Sequence, residues 1–199
     1  MEPDVGAEFI EPESGSLEEP YFLCAQAHTF QDVPEGYSVS VRQGAAEITD
    51  YTTEYVDGTL KVYVENIRVD MGQATTITVT VSTANGDAES VGYLAVPELN
   101  TPTLTAEKTA DGEYTFRVVA NVSPAGASLA DCWGYVSLDL DSGYQDHFVT
   151  LTKASDGSYV GTVTVSGLTG SGNVSVDVYG EWMGYTHFTG NSYTMDFNS

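Results

Sequence analysis

Five residues near the C-terminus carry the side chains best suited to a binding site. They are aromatic rings and one histidine, namely Tyr179, Trp182, Tyr185, His187 and Phe188. Rings that carry a polar group concentrate at protein interfaces and on sugar-binding platforms. We therefore treat these five as candidate ligand-binding residues, with a protein surface or a glycan as the ligand.

The same stretch has a second interpretation. We expect it to form a hairpin between two late strands, with Trp182 and Met183 near its tip. The tip would then pack against the other half of the chain, and we favour this arrangement. Exposed, coplanar rings would favour sugar binding, whereas rings buried at a domain junction would favour a structural role.

Catalysis is not expected. The chain has three histidines, His28, His147 and His187, and no nucleophile-elbow pattern surrounds any serine. Nucleophilic hydrolysis needs a nucleophile beside a base that a third group orients. Acidic residues are so numerous that a pair of them identifies no glycosidase site. We predict that the chain is not an enzyme and name no catalytic residue.

A short acidic segment partly matches a calcium-binding loop. Its candidate metal ligands are Asp139, Asp141 and Asp146. An EF-hand loop requires Gly at its sixth position and Glu at its twelfth. Counted from Asp139, the fifth position is Gly143 and the twelfth is Thr150. We therefore expect a polar connection between strands, and calcium is the one cofactor that the sequence suggests.

The two cysteines, Cys24 and Cys132, lie one in each half of the chain. No cysteine and histidine spacing resembles a zinc site, which needs about four ligands close together. The first interpretation is two separate thiols. The second is a disulfide between Cys24 and Cys132 across the domain junction, which would imply an oxidising compartment.

The charge is strongly one-sided. The chain carries 29 acidic and 6 basic side chains, a formal net charge of −23. Such a surface repels nucleic-acid phosphates and anionic membranes, so we expect neither nucleic-acid binding nor membrane insertion. The first residues lack the basic and apolar regions of a signal peptide. We expect a segment of a larger secreted precursor, extracellular or at a cell surface.

A strand pattern occurs twice. Residues 57–64 read Asp-Gly-Thr-Leu-Lys-Val-Tyr-Val, and residues 156–163 read Asp-Gly-Ser-Tyr-Val-Gly-Thr-Val. Each is a tight-turn dipeptide followed directly by an alternating strand, and a second alternating strand comes later, at 76–81 and 173–178. No window has the apolar spacing of a helix, so the fold class is predicted to be all-β.

The repeat predicts two domains, 1–97 and 98–199, joined by a stiff linker from Pro97 to Pro102. The strands predicted in the first are 5–10, 21–28, 37–42, 47–55, 59–65, 75–82 and 90–96. Those predicted in the second are 103–107, 113–123, 133–141, 147–152, 158–165, 173–181 and 188–197. Strict alternation predicts that Leu60, Val62 and Val64 face the core.

Seven strands per repeat, a tryptophan near the start of the third (Trp133) and the Asp-Gly-Ser-Tyr-Val-Gly-Thr-Val-Thr-Val segment resemble a known family. The chain is similar to tandem immunoglobulin-like or fibronectin-III-like β-sandwich modules of bacterial cell-surface proteins. The core tryptophan of that family is not expected here. Val136, Leu138 and Leu140 have core parity, which places Trp133 on the outer face.

The resemblance implies extracellular display, and it implies no catalytic residues. We expect a non-enzymatic adhesion or spacer module that binds a host or neighbouring surface protein. The alternatives are a carbohydrate-binding accessory module of a secreted glycan-degrading enzyme and a phage virion decoration protein.

Overall fold

The computed structural model describes residues 4–198, which form antiparallel strands joined by turns, with no helix. Within this range no helix is long and apolar enough to cross a membrane. The chain divides into two compact units, Met1–Val96 and Pro97–Ser199. The boundary lies one residue before the one expected from the sequence.

The first domain is an immunoglobulin-like sandwich of two four-stranded sheets. Its strands are β1 (Asp4–Ile10), β2 (Tyr21–Phe30), β3 (Ser38–Gln43), β4 (Ala46–Ile48), β5 (Tyr51–Val56), β6 (Thr59–Asp70), β7 (Ala74–Thr83) and β8 (Gly86–Ala95). One sheet has the order β1-β2-β6-β5, and the other has the order β4-β3-β7-β8. These are the two sheets of an immunoglobulin-like domain with an extra edge strand on the second.

The second domain repeats this arrangement. Its strands are β9 (Glu98–Leu99), β10 (Thr103–Ala110), β11 (Glu113–Ala120), β12 (Val122–Ser123), β13 (Asp131–Leu140), β14 (Gly143–Thr150), β15 (Thr152–Lys153), β16 (Tyr159–Ser166), β17 (Ser171–Trp182) and β18 (Tyr185–Asp196). Its sheets have the orders β10-β11-β16-β15 and β14-β13-β17-β18, and β9 pairs with β12. The sequence repeat is thereby confirmed, because β6 and β16 hold equivalent places.

In both domains the core consists of side chains from every second residue of the strands. Leu60, Val62 and Val64 on β6 are each 0% exposed, as the alternation predicts. Phe116 and Val118 on β11 are also fully buried. Burial of one such side chain contributes about 1.5–3 kcal/mol, so the alternation both selects the strand register and stabilises it.

Three predicted strands are wrong in extent, for the same physical reason. The segment 113–123 is divided between β11 and β12, and β12 pairs with β9 outside the sheet of β11. The segment 47–55 is two strands, β4 and β5, which belong to opposite sheets. The segment 147–152 is likewise divided between the end of β14 and β15. A chain that crosses from one sheet to the other keeps β-type residues throughout. Composition therefore does not show where one strand ends and the next begins.

The predicted linker also needs correction. Leu99 is 5% exposed and belongs to the core of the second domain. Its neighbour Glu98 pairs with Ser123, and the Asn100 N–H donates to the carbonyl of Asn121. Part of the Pro97–Pro102 segment is therefore a strand of the second domain, because burial of Leu99 outweighs the turn signal of the two prolines.

The cysteines are two separate free thiols, and the disulfide interpretation is wrong. Cys24 on β2 and Cys132 on β13 are each 1% exposed, at inward-facing positions of their own domains. Burial raises the pKa of Cys24 to about 11. Burial, together with the Asp131 carboxylate, raises the pKa of Cys132 to about 12. Both side chains act as small core residues.

Candidate binding surface

The pleat of β17 and β18 separates the five candidate residues into two groups. Tyr179 pairs with Phe188, and both lie on the solvent face of the sheet. Trp182 pairs with Tyr185 on the opposite face, and Trp182 packs against the core of its own domain. His187 pairs with Gly180 and shares that inner face. The five residues therefore do not form one site.

His187 has a structural role within the second domain. Its Nε2 accepts a hydrogen bond of 3.0 Å from the Leu99 N–H, and its ring lies parallel to that of Tyr185 at 6.1 Å. Burial lowers the pKa of His187 and so favours the neutral ring, and the Leu99 N–H selects the tautomer in which Nε2 is unprotonated. His187 attaches β9 to β18, so it does not belong to the binding surface.

A continuous aromatic cluster occupies the outer face of the β14-β13-β17-β18 sheet. Trp133, Tyr179 and Phe188 are directly opposite one another across three strands. The Trp133 and Tyr179 rings are 5.8 Å apart at 8°, and the Tyr179 and Phe188 rings are 5.6 Å apart at 27°. Tyr135 contacts the ring edges of Tyr179 at 6.1 Å and Phe148 at 5.5 Å. We call these five residues the aromatic face.

Much of this cluster is open to solvent. Phe188 is 67% exposed and Phe148 is 56% exposed. Large apolar rings that lie together on a solvent face, with polar neighbours, mark interaction sites in soluble proteins. Trp133 is half-buried on the outer face, which confirms its predicted orientation.

Gly134 allows a close approach of two backbones beneath the aromatic face. A Cβ at Gly134, between Trp133 and Tyr135, would lie 2.5 Å from the carbonyl oxygen of Asp177. Strands β13 and β17 are therefore too close at this point for any side chain other than hydrogen. The Trp133 and Tyr179 rings stack beside this close approach of the two backbones.

The aromatic face lies among acidic groups. Asp131 is paired with Glu181 two residues along the strand from the Trp133–Tyr179 pair, and Asp177 is directly opposite Tyr135. The three basic side chains of the second domain lie on the other sheet, Lys108 on β10, Arg117 on β11 and Lys153 on β15. The outer face of this sheet is therefore apolar and negative.

Sequence reasoning missed Trp133, Tyr135 and Phe148 as site residues. The signal for Tyr135 was present, because alternation that buries Val136 and Leu138 places Trp133 and Tyr135 outside. Alternation within one strand does not give the register between strands, which places Trp133 opposite Tyr179 and Tyr135 opposite Phe148.

The candidate metal ligands are not drawn together. Asp141 is in the two-residue turn between β13 and β14 and accepts a 3.3 Å hydrogen bond from Ser171. Asp146 accepts one of 2.7 Å from Ser137, and Asp139 is opposite Tyr144. Among residues 4–198, no group of three His, Cys, Asp or Glu side chains is arranged to hold a metal ion.

The first domain contains a buried polar chain that the sequence did not predict. His28 Nδ1 is 2.9 Å from Ser90 Oγ, and His28 Nε2 is 3.2 Å from Gln26 Oε1. Ser90, His28 and Gln26 follow the order of hydroxyl, imidazole and orienting group that a hydrolytic triad has. The third group here is a neutral amide, and His28 is only 2% exposed. Burial lowers the pKa of His28, so we interpret this chain as a neutral link between the two sheets.

Known proteins resemble this chain at the level of solved structures. No protein-family model matches the chain. No curated protein matches it either. Among solved structures, an I-band fragment of titin is 13% identical with a TM-score of 0.39, and the match covers 96% of this chain and 59% of the fragment. The E-to-A mutated variant of that fragment has a TM-score of 0.40 with the same coverage and identity.

A chimeric titin carrying an exogenous peptide from decorin is 13% identical with a TM-score of 0.29, and the match covers 85% of this chain and 84% of the chimera. The chain spans about three fifths of the length of the two I-band fragments, whose matched share is 59%. The immunoglobulin-like assignment comes from the strand order of each domain.

Proposed function

We propose that this tandem pair of immunoglobulin-like domains is a non-enzymatic, extracellular adhesion module of a bacterial surface protein. In this proposal the second domain binds a protein partner through the aromatic face. The first domain serves as a spacer. The observation that carries the proposal is the exposed aromatic ladder across four strands, whose members include Phe148 and Phe188 at 56% and 67% exposure.

The composition of the aromatic face supports a protein partner. Tryptophan and tyrosine supply most of the binding energy at the centres of protein interfaces, and a polar rim surrounds them. Trp133, Tyr135 and Tyr179 are central here, and acidic groups such as Asp131 and Glu181 lie next to them. The rings already pack on one another, so a partner would meet a preorganised surface at low entropic cost.

Glycan binding is the alternative, and the ring geometry favours it less. A sugar stacks on an open ring face. Both faces of Tyr179 are occupied, one by Trp133 and the other by Phe188. The two most exposed rings, Phe148 and Phe188, carry no polar group that could hydrogen-bond a sugar, so the surface suits apolar side chains of a protein better.

Panning of a displayed random peptide library on the whole chain tests this proposal. The test variant is Phe148→Thr combined with Phe188→Thr, which removes the two most exposed rings and keeps strand-forming residues. The matched control is Val91→Thr combined with Tyr93→Thr on the first domain, where the side chains are 55% and 61% exposed. We expect selected peptides to lose binding to the test variant and to keep it with the control.

The same variants decide the alternative on a glycan array. A glycan that binds the wild type and the control but not the test variant would replace the protein partner with a carbohydrate. Peptides that bind all three chains equally would show that the aromatic face is not a binding surface.

A further inference from the structure

The aromatic face contains a notch on β18. Gly190 has no side chain, and it lies between Phe188 and Ser192 on the outward side of the strand. A Cβ at Gly190 would overlap the carboxylate of Asp177, so that carboxylate extends across the gap from β17. We call Asp177, Phe188, Gly190 and Ser192 the Asp177 notch.

The carboxylate in this notch has no hydrogen-bond or ion-pair partner in the part of the chain that the structure describes. Asp177 is half-buried, and no described residue donates a hydrogen bond to it or forms an ion pair with it. By contrast, Asp146 on the same face accepts a hydrogen bond from Ser137 at 2.7 Å. Water can reach this partly buried carboxylate, and a cation that replaced the water would gain a charge-assisted hydrogen bond.

Aromatic rings surround the unpaired group. Tyr135 is directly opposite Asp177 on β13, which places their Cβ atoms about 4.5–5.5 Å apart. Phe188 is diagonal to it on β18, within reach of a long side chain. Because a cation over a ring gains additional attraction, the notch combines two features that select a positive charge.

We propose that the Asp177 notch receives an arginine side chain of the partner protein. This inference rests on the proposed protein-binding role of the aromatic face. A guanidinium is planar, so it can form two parallel hydrogen bonds to Asp177 and stack beside Phe188 or Tyr135 at once. A lysine ammonium is a compact, strongly hydrated charge that gains less from a ring and from a paired carboxylate. Among the described residues of the second domain none supplies this cation, because Lys108, Arg117 and Lys153 lie on the opposite sheet.

The test is a titration of the whole, isotope-labelled chain with N-acetylarginine amide, followed by NMR at the Gly190 amide. The lysine and citrulline counterparts serve as reference probes. Salt at about 0.15 M screens exposed charges beyond about 8 Å, which suppresses diffuse attraction to the acidic surface. We expect the arginine compound to shift Gly190 saturably, the lysine compound to bind more weakly and the neutral citrulline compound not to bind.

Two variants and one control make the result specific. Asp177→Asn keeps the shape and removes the charge, and we expect it to weaken arginine binding by about tenfold or more. Gly190→Ala keeps the charge and fills the notch, with a similar loss expected. Asp146→Asn removes one charge from the same face outside the notch and is expected to leave arginine binding within about twofold.

Each outcome is decisive. The inference would be overturned if the arginine compound bound equally to the wild type and to both notch variants. It would also be overturned if the NMR shifts were spread evenly over the acidic residues. Peptides selected by panning that need the rings but neither arginine nor Asp177 would refute the notch and leave the proposed function standing. Peptides whose binding does not depend on the rings would refute the proposed function, whether or not the arginine compound shifts the Gly190 amide signal.

Discussion

Replacement of Tyr179 by threonine should destabilise the second domain far more than the same change at Phe188. Tyr179 contacts three rings, those of Trp133, Tyr135 and Phe188. Phe188 contacts one ring, that of Tyr179, and is 67% exposed. Threonine suits a strand, so both substitutions leave β-propensity nearly unchanged.

The magnitude follows from how many aromatic pairs each substitution removes. An aromatic pair contributes about 0.5–1.5 kcal/mol beyond the area that it buries. Removal of three pairs at Tyr179 corresponds to about 1.5–4.5 kcal/mol, and removal of one pair at Phe188 corresponds to about 0.5–1.5 kcal/mol. Interactions within one cluster are not additive, so we expect a difference of at least about 1 kcal/mol rather than the full range.

Urea unfolding followed by tryptophan fluorescence measures this difference. Both tryptophans, Trp133 and Trp182, belong to the second domain, so the signal reports that domain alone. The free energy of unfolding and its urea dependence are compared for the wild type, Tyr179→Thr and Phe188→Thr. Tyr93→Thr in the first domain, where Tyr93 is 61% exposed, is the control and should leave the tryptophan transition unchanged.

Equal losses of stability at Tyr179 and Phe188 would refute the reasoning, because a ring that packs on three others would then behave like a ring that packs on one. A negligible loss at Tyr179 would show that the cluster contributes nothing to stability. A double-mutant cycle on Trp133 and Tyr179 isolates their stacking, for which we expect a coupling of about 0.5–1.5 kcal/mol.

Three further predictions concern His28, Gly134 and the two cysteines. Burial lowers the pKa of His28 below its usual 6.5. The first domain should therefore lose stability as the pH falls through about 6.5, where the unfolded chain takes up the proton first. Circular dichroism unfolding between about pH 7.5 and 5.5 should show this slope, and His28→Gln should flatten it; an equal slope in the variant would contradict it. Gly134→Ala brings a methyl group to 2.5 Å from the Asp177 carbonyl oxygen, so it should cost about 1–3 kcal/mol in the tryptophan-monitored urea assay, and an unchanged midpoint would show that the strands can separate freely. Cys24 and Cys132 should react with a thiol reagent only after unfolding, since both are buried with raised pKa values; reaction of either thiol in the native chain would contradict this.

Several properties followed directly from local sequence. Alternation predicted the inward face of β6, because every second side chain points to the same side of a strand. The Asp57-Gly58 turn was also predictable, since a two-residue hairpin turn needs positive φ at both positions, here 49° and 78°. The outward orientation of Trp133 followed from the parity of Val136 and Leu138. The repeated order of turn and strand predicted two similar domains.

Other properties depend on pairing between distant segments. Strand composition could not show where the chain changes sheets, because both sheets use the same β-branched and aromatic residues. The predicted linker was wrong because only the folded core shows that Leu99 is buried. The polar chain from Gln26 through His28 to Ser90 joins residues on opposite sheets, and no local pattern indicates such contacts.

The amino-acid sequence by itself determined the all-β class, the two-domain repeat and the face on which each side chain lies, since these depend on a period of two residues within one strand. Tertiary structure decided the binding surface. Register across β14, β13, β17 and β18 assembles rings that lie up to 55 residues apart, from Trp133 to Phe188. The same register places an unpaired Asp177 over Gly190. Hydrogen bonding between strands and burial of the core set that register, and both act only once the whole sheet has formed.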